Sequence, residues 1–83
     1  MNDGMNDGRV TGSTWVTRRS DGWLWQAYAT VCYRRTNDGA DNINMFAQGH
    51  GVKTRALARD ASRGARDELV KRVQEMHMLL TRV

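Results

Sequence analysis

One lysine and four arginines in the C-terminal half of the chain have the residue types and the spacing to bind phosphate or carboxylate groups. They are Lys53, Arg55, Arg59, Arg63 and Arg66. The four arginines would form one stripe along a helix, about 16 Å long at about 1.5 Å per residue. Guanidinium groups form forked contacts with phosphate and carboxylate oxygens. The stripe therefore predicts a surface for a phosphate backbone or an acidic protein groove. The alternative is a solvated helix face, partly neutralised by nearby acidic residues.

Two further basic or glycine-rich features accompany this stripe. Gly49-His50-Gly51 before a helix predicts a turn whose backbone N–H groups hold phosphate, or a turn that needs Gly49 and Gly51 for backbone reasons alone. Two arginine pairs border the longest predicted strand and are expected at opposite ends of a hairpin, as two separate patches. The pairs are Arg18-Arg19 and Arg34-Arg35.

The residues that usually perform catalysis or bind metals are sparse. His50 and His77 are 27 residues apart, and Cys32 is the only cysteine, so neither a zinc site nor an intrachain disulfide is expected. We predict no catalytic residues, no metal, no cofactor and no enzymatic activity. Cys32 is interpreted as a small core residue in a reducing compartment.

Length and charge indicate a single small basic domain. The chain has 83 residues, 13 Lys and Arg against 9 acidic residues, and a net charge of +4. It has neither a hydrophobic leader nor an apolar run long enough to span a bilayer, so a cytoplasmic location is expected. Residues 1–8 repeat Met-Asn-Asp-Gly and predict a disordered tail, which leaves residues 9–83 as the domain.

Three strands are predicted before the chain changes period. Residues 23–35 are rich in aromatic and β-branched side chains and follow the turn dipeptide Asp21-Gly22, which is typical of a central strand. Residues 12–18 predict the strand before it and residues 42–48 the strand after it. Short connections favour an antiparallel meander.

Beyond Gly51 the apolar period becomes about 3.6, which predicts one long helix that Thr54 caps. Its apolar stripe is Ala58, Ala61, Ala65, Leu69, Val73, Met76, Leu80 and Val83. The alternative places residues 52–58 in a fourth strand. The favoured fold is α+β, a three-stranded antiparallel meander with the C-terminal helix packed across one face.

The sizes of the side chains predict how the helix lies on the sheet. Small residues at the helix start would meet Trp23 and Trp25, and Leu69 and Val73 would fill the space above Ala27 and Ala29. In this arrangement Gly64 would mark a close approach of the helix to the sheet.

Three strands, Gly49-x-Gly51, Lys53, Arg55 and an alanine-rich helix resemble the C-terminal portion of a double-stranded-RNA-binding domain. That resemblance implies a basic cluster at the helix start that grips phosphates across a major groove. The plan is also similar to the arm-type DNA-binding domains of phage integrases, which read DNA with the sheet. In size and layout the chain resembles small phage anti-CRISPR proteins, which are non-enzymatic and occlude a surface of a CRISPR effector complex.

These observations lead to three functional hypotheses. The leading one is a phage-type inhibitor that docks through arginine-rich surfaces on a host nucleic-acid-handling complex, such as a CRISPR effector. The second is a module that binds double-stranded nucleic acid directly with the arginine stripe. The third is a structural homodimer that uses Met78 and Leu79 beside the apolar stripe.

Overall fold

The computed structural model describes residues 9–36 and 39–81, with all their side chains except those of residues 34–36, 39–40 and 81. Three antiparallel strands form one sheet in the order β1-β2-β3. One helix follows the sheet and lies across one of its faces, so the predicted α+β fold is confirmed. The predicted tail at residues 1–8 and the last residue of the apolar stripe lie outside the described residues. The elements are β1 (Val10–Arg19), β2 (Gly22–Thr36), β3 (Gly39–Val52) and α1 (Arg55–Thr81).

The register of the strands assigns each side chain to a face. β1 pairs with β2 from Val10 opposite Val31 to Arg19 opposite Gly22. Gly22 has a φ of 129°, a conformation that glycine adopts without steric cost and that the tight turn after β1 requires. β3 pairs with the other edge of β2 and reaches Val52, opposite Trp23. Because side chains alternate along a strand, one face of the sheet packs on α1 and the other lies uncovered.

The core lies between β2 and the middle of the helix. Ala27, Ala29 and Val31 of β2 form one buried cluster with Leu69 and Val73 of α1. The two alanines leave room for the larger helix residues, as their sizes predict. Partly buried side chains from all three strands surround this cluster, which holds α1 close to the sheet.

The third strand is longer than predicted, and the prediction of a turn at Gly49-His50-Gly51 is wrong. These residues belong to β3, where Gly49 lies opposite Trp25. A Cβ built on Gly49 would lie 2.6 Å from the indole Nε1 of Trp25, so the indole covers a residue that has no side chain. The glycine thus permits the strand to continue beside a bulky neighbour, and the turn falls at residues 53–54 instead.

The helix begins where its cap was predicted. The N–H of Leu57 donates to Oγ1 of Thr54 at 3.1 Å, which satisfies one of the N–H groups that lack a partner within the helix. The N–H of Ala58 donates to the carbonyl of Thr54, also at 3.1 Å. Residues 55–58 are therefore helical, and the alternative of a fourth strand is excluded.

The buried side of α1 differs in detail from the predicted stripe. Ser62 is 1% exposed, and its hydroxyl donates to the carbonyl of Arg59 at 2.9 Å, so its burial leaves no polar group unsatisfied. Met76 and Leu80 are 41% and 50% exposed. β1 begins at Val10, opposite Val31, so only β2 and β3 continue toward the last helical turns.

Two further predictions about burial are wrong. A Cβ on Gly64 would meet no atom within 4 Å, so this glycine faces open space rather than the sheet. Gly12 of β1 is instead a point of close approach, because a Cβ there would lie 2.7 Å from Cγ of Arg66. Cys32 is exposed, because it lies on the face of β2 that the helix leaves uncovered.

Candidate functional site

A groove runs between the N-terminal half of α1 and the outer edge of β1. We call it the arginine groove. Its volume is about 240 Å³. Seven of the described residues line it: Thr14, Trp15 and Val16 from β1, and Arg55, Arg59, Ser62 and Arg63 from α1. Three of the four arginines of the predicted stripe therefore lie together at one side of the molecule.

The geometry of both elements explains this placement. β1 is an edge strand, so the backbone groups on its outer side have no neighbouring strand. Arg55, Arg59 and Arg63 are four residues apart and lie on the side of α1 that faces this edge. Buried Ser62 forms the floor between them. The groove therefore combines a strand edge with a line of guanidinium groups.

The guanidinium groups of the three groove arginines are available to bind an external anion. Among the residues that the structure describes, no carboxylate lies within ion-pair distance of Arg55, Arg59 or Arg63. All three are exposed. An unpaired arginine at the surface retains its full set of N–H donors for an external anion.

The remaining members of the predicted basic surface lie elsewhere. The aliphatic part of Arg66 lies over Gly12, and its Nη2 pairs with Oδ1 of Asp67 at 3.3 Å. Lys53 is exposed in the turn before α1 and does not line the groove. Gly49 belongs to β3, and Gly51 near its end has a φ of 74°. The structure thus divides the predicted set into a groove of three arginines and separate neighbours.

The two arginine pairs also separate. Arg18 pairs with Trp23 at the start of β2, whereas Arg34 pairs with Ala40 near its end. Their backbones therefore lie at opposite ends of the sheet, as the hairpin geometry predicts. Arg18 and Arg19 point to opposite faces of β1, because consecutive strand residues alternate. Arg19 lines a depression on the uncovered face.

The uncovered side of the sheet, which we call the open face, carries aromatic side chains that are not among the predicted site residues. Trp15 and Phe46 on this face are 50% and 54% exposed. Tyr28 lies between them on the central strand and is half-buried. The register and the alternation of side chains place these residues on the side opposite the core. A single helix cannot cover both faces of a sheet, and that was the signal for an uncovered face.

Polar side chains form a ladder across the open face. Nε2 of Gln26 donates to Oε1 of Gln48 at 3.3 Å. The hydroxyl of Tyr28 donates to Oδ1 of Asn44 at 3.0 Å, and the hydroxyl of Thr30 donates to the same oxygen. These bonds hold the side chains of β2 and β3 in fixed positions.

Shallow depressions lie at both ends of this face. The first has a volume of about 490 Å³ and is lined by Arg19, Asp21, Leu24, Gln26, Gln48 and His50. The second has a volume of about 270 Å³ and is lined by Arg9, Thr11, Thr30, Cys32 and Asn42. The aromatic side chains lie between them. Each end of the open face therefore carries an arginine.

The last turns of α1 expose several long apolar side chains. Four long side chains are 41% to 63% exposed there: Met76, Met78, Leu79 and Leu80. On the sheet side, His77 contacts Tyr33, with ring centroids 5.3 Å apart and planes at 70°. This edge-to-face contact joins the end of the helix to β2.

Comparisons with known proteins do not assign a family or a function to the chain. No protein-family model, no curated protein and no solved structure matches the chain. The resemblances to anti-CRISPR proteins, RNA-binding domains and integrase domains therefore stay predictions. In the part of the chain that the structure describes, no helix is long and apolar enough to cross a membrane. Those residues also include no group of three or more His, Cys, Asp or Glu side chains placed to hold a metal ion.

Proposed function

We propose that the protein is a small non-enzymatic binding protein whose arginine groove takes the sugar-phosphate backbone of a nucleic acid. One observation carries this proposal. Arg55, Arg59 and Arg63 line one groove without a carboxylate partner among the described residues. A surface of unpaired, evenly spaced arginines attracts a linear polyanion, because each phosphate that is neutralised releases bound counterions.

The spacing of the arginines suits a chain of phosphates better than a single carboxylate. Neighbouring arginines of the groove are separated by four residues, or about 6 Å along the helix axis. A net charge of +4 adds a long-range attraction for any polyanion. The exposed aromatic residue at the groove, Trp15, offers a stacking surface that an acidic protein would not need.

Salt-dependent titration tests the proposal. Labelled duplex and single-stranded oligonucleotides are titrated with the protein at several salt concentrations. Arg63→Gln should weaken binding and reduce the salt slope by about one unit. Lys71→Gln is the matched control, because it removes the same charge from an exposed helix position outside the groove. It should leave the slope nearly unchanged.

Two results would contradict the proposal. The first is the absence of binding to either oligonucleotide at low salt. The second is an equal effect of Arg63→Gln and Lys71→Gln, which would indicate that net charge alone drives binding. The first result would favour the docking inhibitor, since an acidic protein groove would then be the partner of the arginines. Affinity capture with wild-type protein and Arg63→Gln would identify that partner.

A second candidate function is self-association through the end of α1. The exposed Met76, Leu79 and Leu80 favour it, because they lie within about 100° of one another around the helix, and long apolar side chains grouped on one surface indicate an interaction site. Sedimentation should then show a dimer that Leu79→Glu converts to a monomer. A wild-type monomer over the whole concentration range would exclude this candidate.

A further inference from the structure

We infer that the open face binds a single-stranded nucleic acid, with unpaired bases stacked on Trp15 and Phe46. This inference rests on the proposed function and specifies its ligand: the strand whose phosphates occupy the arginine groove is single-stranded where it crosses the sheet.

The exposed aromatic residues are the first argument. Trp15 and Phe46 lie on the two edge strands and are each about half exposed, at 50% and 54%. Tyr28 lies between them, with the register placing Tyr28 opposite Phe46. Large aromatic side chains that remain exposed on a sheet face are unfavourable in free energy, and a group of them indicates a binding surface. Bases stack on such rings when they are not paired, because every base has an aromatic face.

The polar ladder is the second argument. Between the aromatic residues the face carries amide and hydroxyl groups that are already held in place by hydrogen bonds across the strands. Oδ1 of Asn44 accepts from both Tyr28 and Thr30, which leaves its amide nitrogen as a donor. The Gln26–Gln48 pair likewise keeps amide donors and acceptors at the surface. Base edges present the complementary donors and acceptors once they are unpaired.

The distribution of charge is the third argument, and it disfavours a second copy as the occupant. The two depressions at opposite ends of the face contain Arg19 and Arg9. A two-fold pairing of open faces would bring arginines of the two copies toward one another at both ends. Among the described residues that line the depressions, the one acidic side chain is Asp21, beside Arg19. The depression of Arg9 therefore favours a polyanion over a second basic copy.

The arginine groove and the open face meet at Trp15. Thr14, Trp15 and Val16 all line the groove, but alternation places the side chain of Trp15 on the open face and those of Thr14 and Val16 on the helix side. A strand that lays phosphates against Arg59 and Arg63 therefore reaches the edge of β1 beside the indole. Its bases can turn over that edge onto the open face. A rigid duplex has its bases stacked on each other and cannot do this without unpairing.

The test separates base stacking from phosphate binding. The probes are a labelled oligothymidine of about 12 nucleotides, an abasic strand of the same length and a duplex of the same length. We expect oligothymidine to bind at least about tenfold more tightly than the abasic strand. Phe46→Leu keeps apolar bulk and removes an aromatic face that lies outside the arginine groove. It should cost about tenfold with oligothymidine and leave the abasic affinity unchanged.

Two further variants make the result specific. Leu57→Ala is the matched control, because Leu57 is 55% exposed on α1 and is absent from both the open face and the groove. It should change none of the affinities. Arg63→Gln should weaken oligothymidine and the abasic strand by the same factor. Trp15→Leu serves as the second stacking variant if Phe46→Leu loses its native circular dichroism spectrum, and it should weaken oligothymidine more than the abasic strand.

Four outcomes would overturn the inference. Equal affinities for oligothymidine and the abasic strand would exclude stacking while leaving the arginine groove in place. Tighter binding of the duplex than of oligothymidine would show that the groove takes double-stranded nucleic acid. A dimer in sedimentation that Trp15→Leu converts to a monomer would show that a second copy covers the open face. If Arg63→Gln lost all binding and the aromatic variants lost none, the proposed function would be supported but a contribution of the aromatic residues would be excluded.

Discussion

The side chain of Arg66 lies directly over Gly12 of β1. A Cβ built on this glycine would lie 2.7 Å from Cγ and 3.0 Å from Cδ of Arg66. It would also lie 3.0 Å from Cγ2 of Val70. The helix therefore rests against strand backbone at this point. Because the arginine groove is bounded by the same strand and the same helix, Gly12 also sets the distance between its two walls.

Gly12→Ala should destabilise the protein by about 1–3 kcal/mol, because the added methyl group overpacks the contact with α1. The change is measured as a lower denaturant midpoint at constant m-value. An unchanged midpoint would show that Arg66 and Val70 move aside without cost, and that the close approach does not hold the helix in place.

Gly64→Ala should have the opposite effect and raise the free energy of unfolding by about 0.5–1 kcal/mol. This glycine lies in the middle of α1, and a Cβ there would meet no atom within 4 Å. Alanine limits the freedom of the unfolded chain and is the better helix former. Denaturant titration of Gly64→Ala and Gly12→Ala compares the effect of the same substitution on stability in two environments. A destabilised Gly64→Ala would contradict the exposed position of this residue.

Gly49→Ala should displace the indole of Trp25, because a Cβ would lie within 3.0 Å of three of its ring atoms. We expect a loss of about 1–3 kcal/mol of stability, the usual range for overpacking. The tryptophan emission spectrum of the folded protein should also change, since Trp25 is only partly buried. A native spectrum with unchanged stability would show that the indole does not lie over Gly49.

Leu69→Ala should cost about 2–5 kcal/mol, because it leaves a cavity in the cluster between β2 and α1. Leu79→Ala is the matched control on the same helix, where the side chain is 63% exposed. It should change the free energy of unfolding by no more than about 0.5 kcal/mol in the monomer. Thermal or denaturant unfolding checks both. Similar losses in the two variants would mean that the end of α1 is buried, as in a dimer.

Thr54→Ala should lower stability by about 1 kcal/mol, because the N–H of Leu57 loses the side-chain oxygen to which it donates. Lys53→Ala, at the adjacent exposed position, is the control and should change stability little. Chemical denaturation of both variants provides the measurement. An equal loss in the two would show that the hydrogen bond of the cap contributes nothing.

Much of the fold could be predicted because its local signals agree with one another. Alternating side chains identified three strands, short turns favoured a meander, and the change of period identified the helix that Thr54 caps. The pairing of Leu69 and Val73 with the small residues of β2 followed from size alone. Register and alternation then determined which residues of each strand share a face.

The candidate site was predicted only in part. The spacing of Arg55, Arg59 and Arg63 was sufficient to place them on one side of a helix. The spacing could not show that this side faces the edge of β1. It also could not show that Arg66 lies over Gly12 and pairs with Asp67. Those facts depend on how the helix is rotated and how closely it approaches the sheet.

The amino-acid sequence by itself determined the elements, their order and the apolar face of each strand, because backbone preference and side-chain period act over a few residues. Only the tertiary structure decided which groups are covered. One helix covers a single face of the three strands, so Cys32, Trp15 and Phe46 on the other face are exposed. Ser62 lies on the covered side, and its burial is tolerated because its hydroxyl donates to a carbonyl within its own helix. Packing of distant segments sets these environments, and no local pattern contains that information.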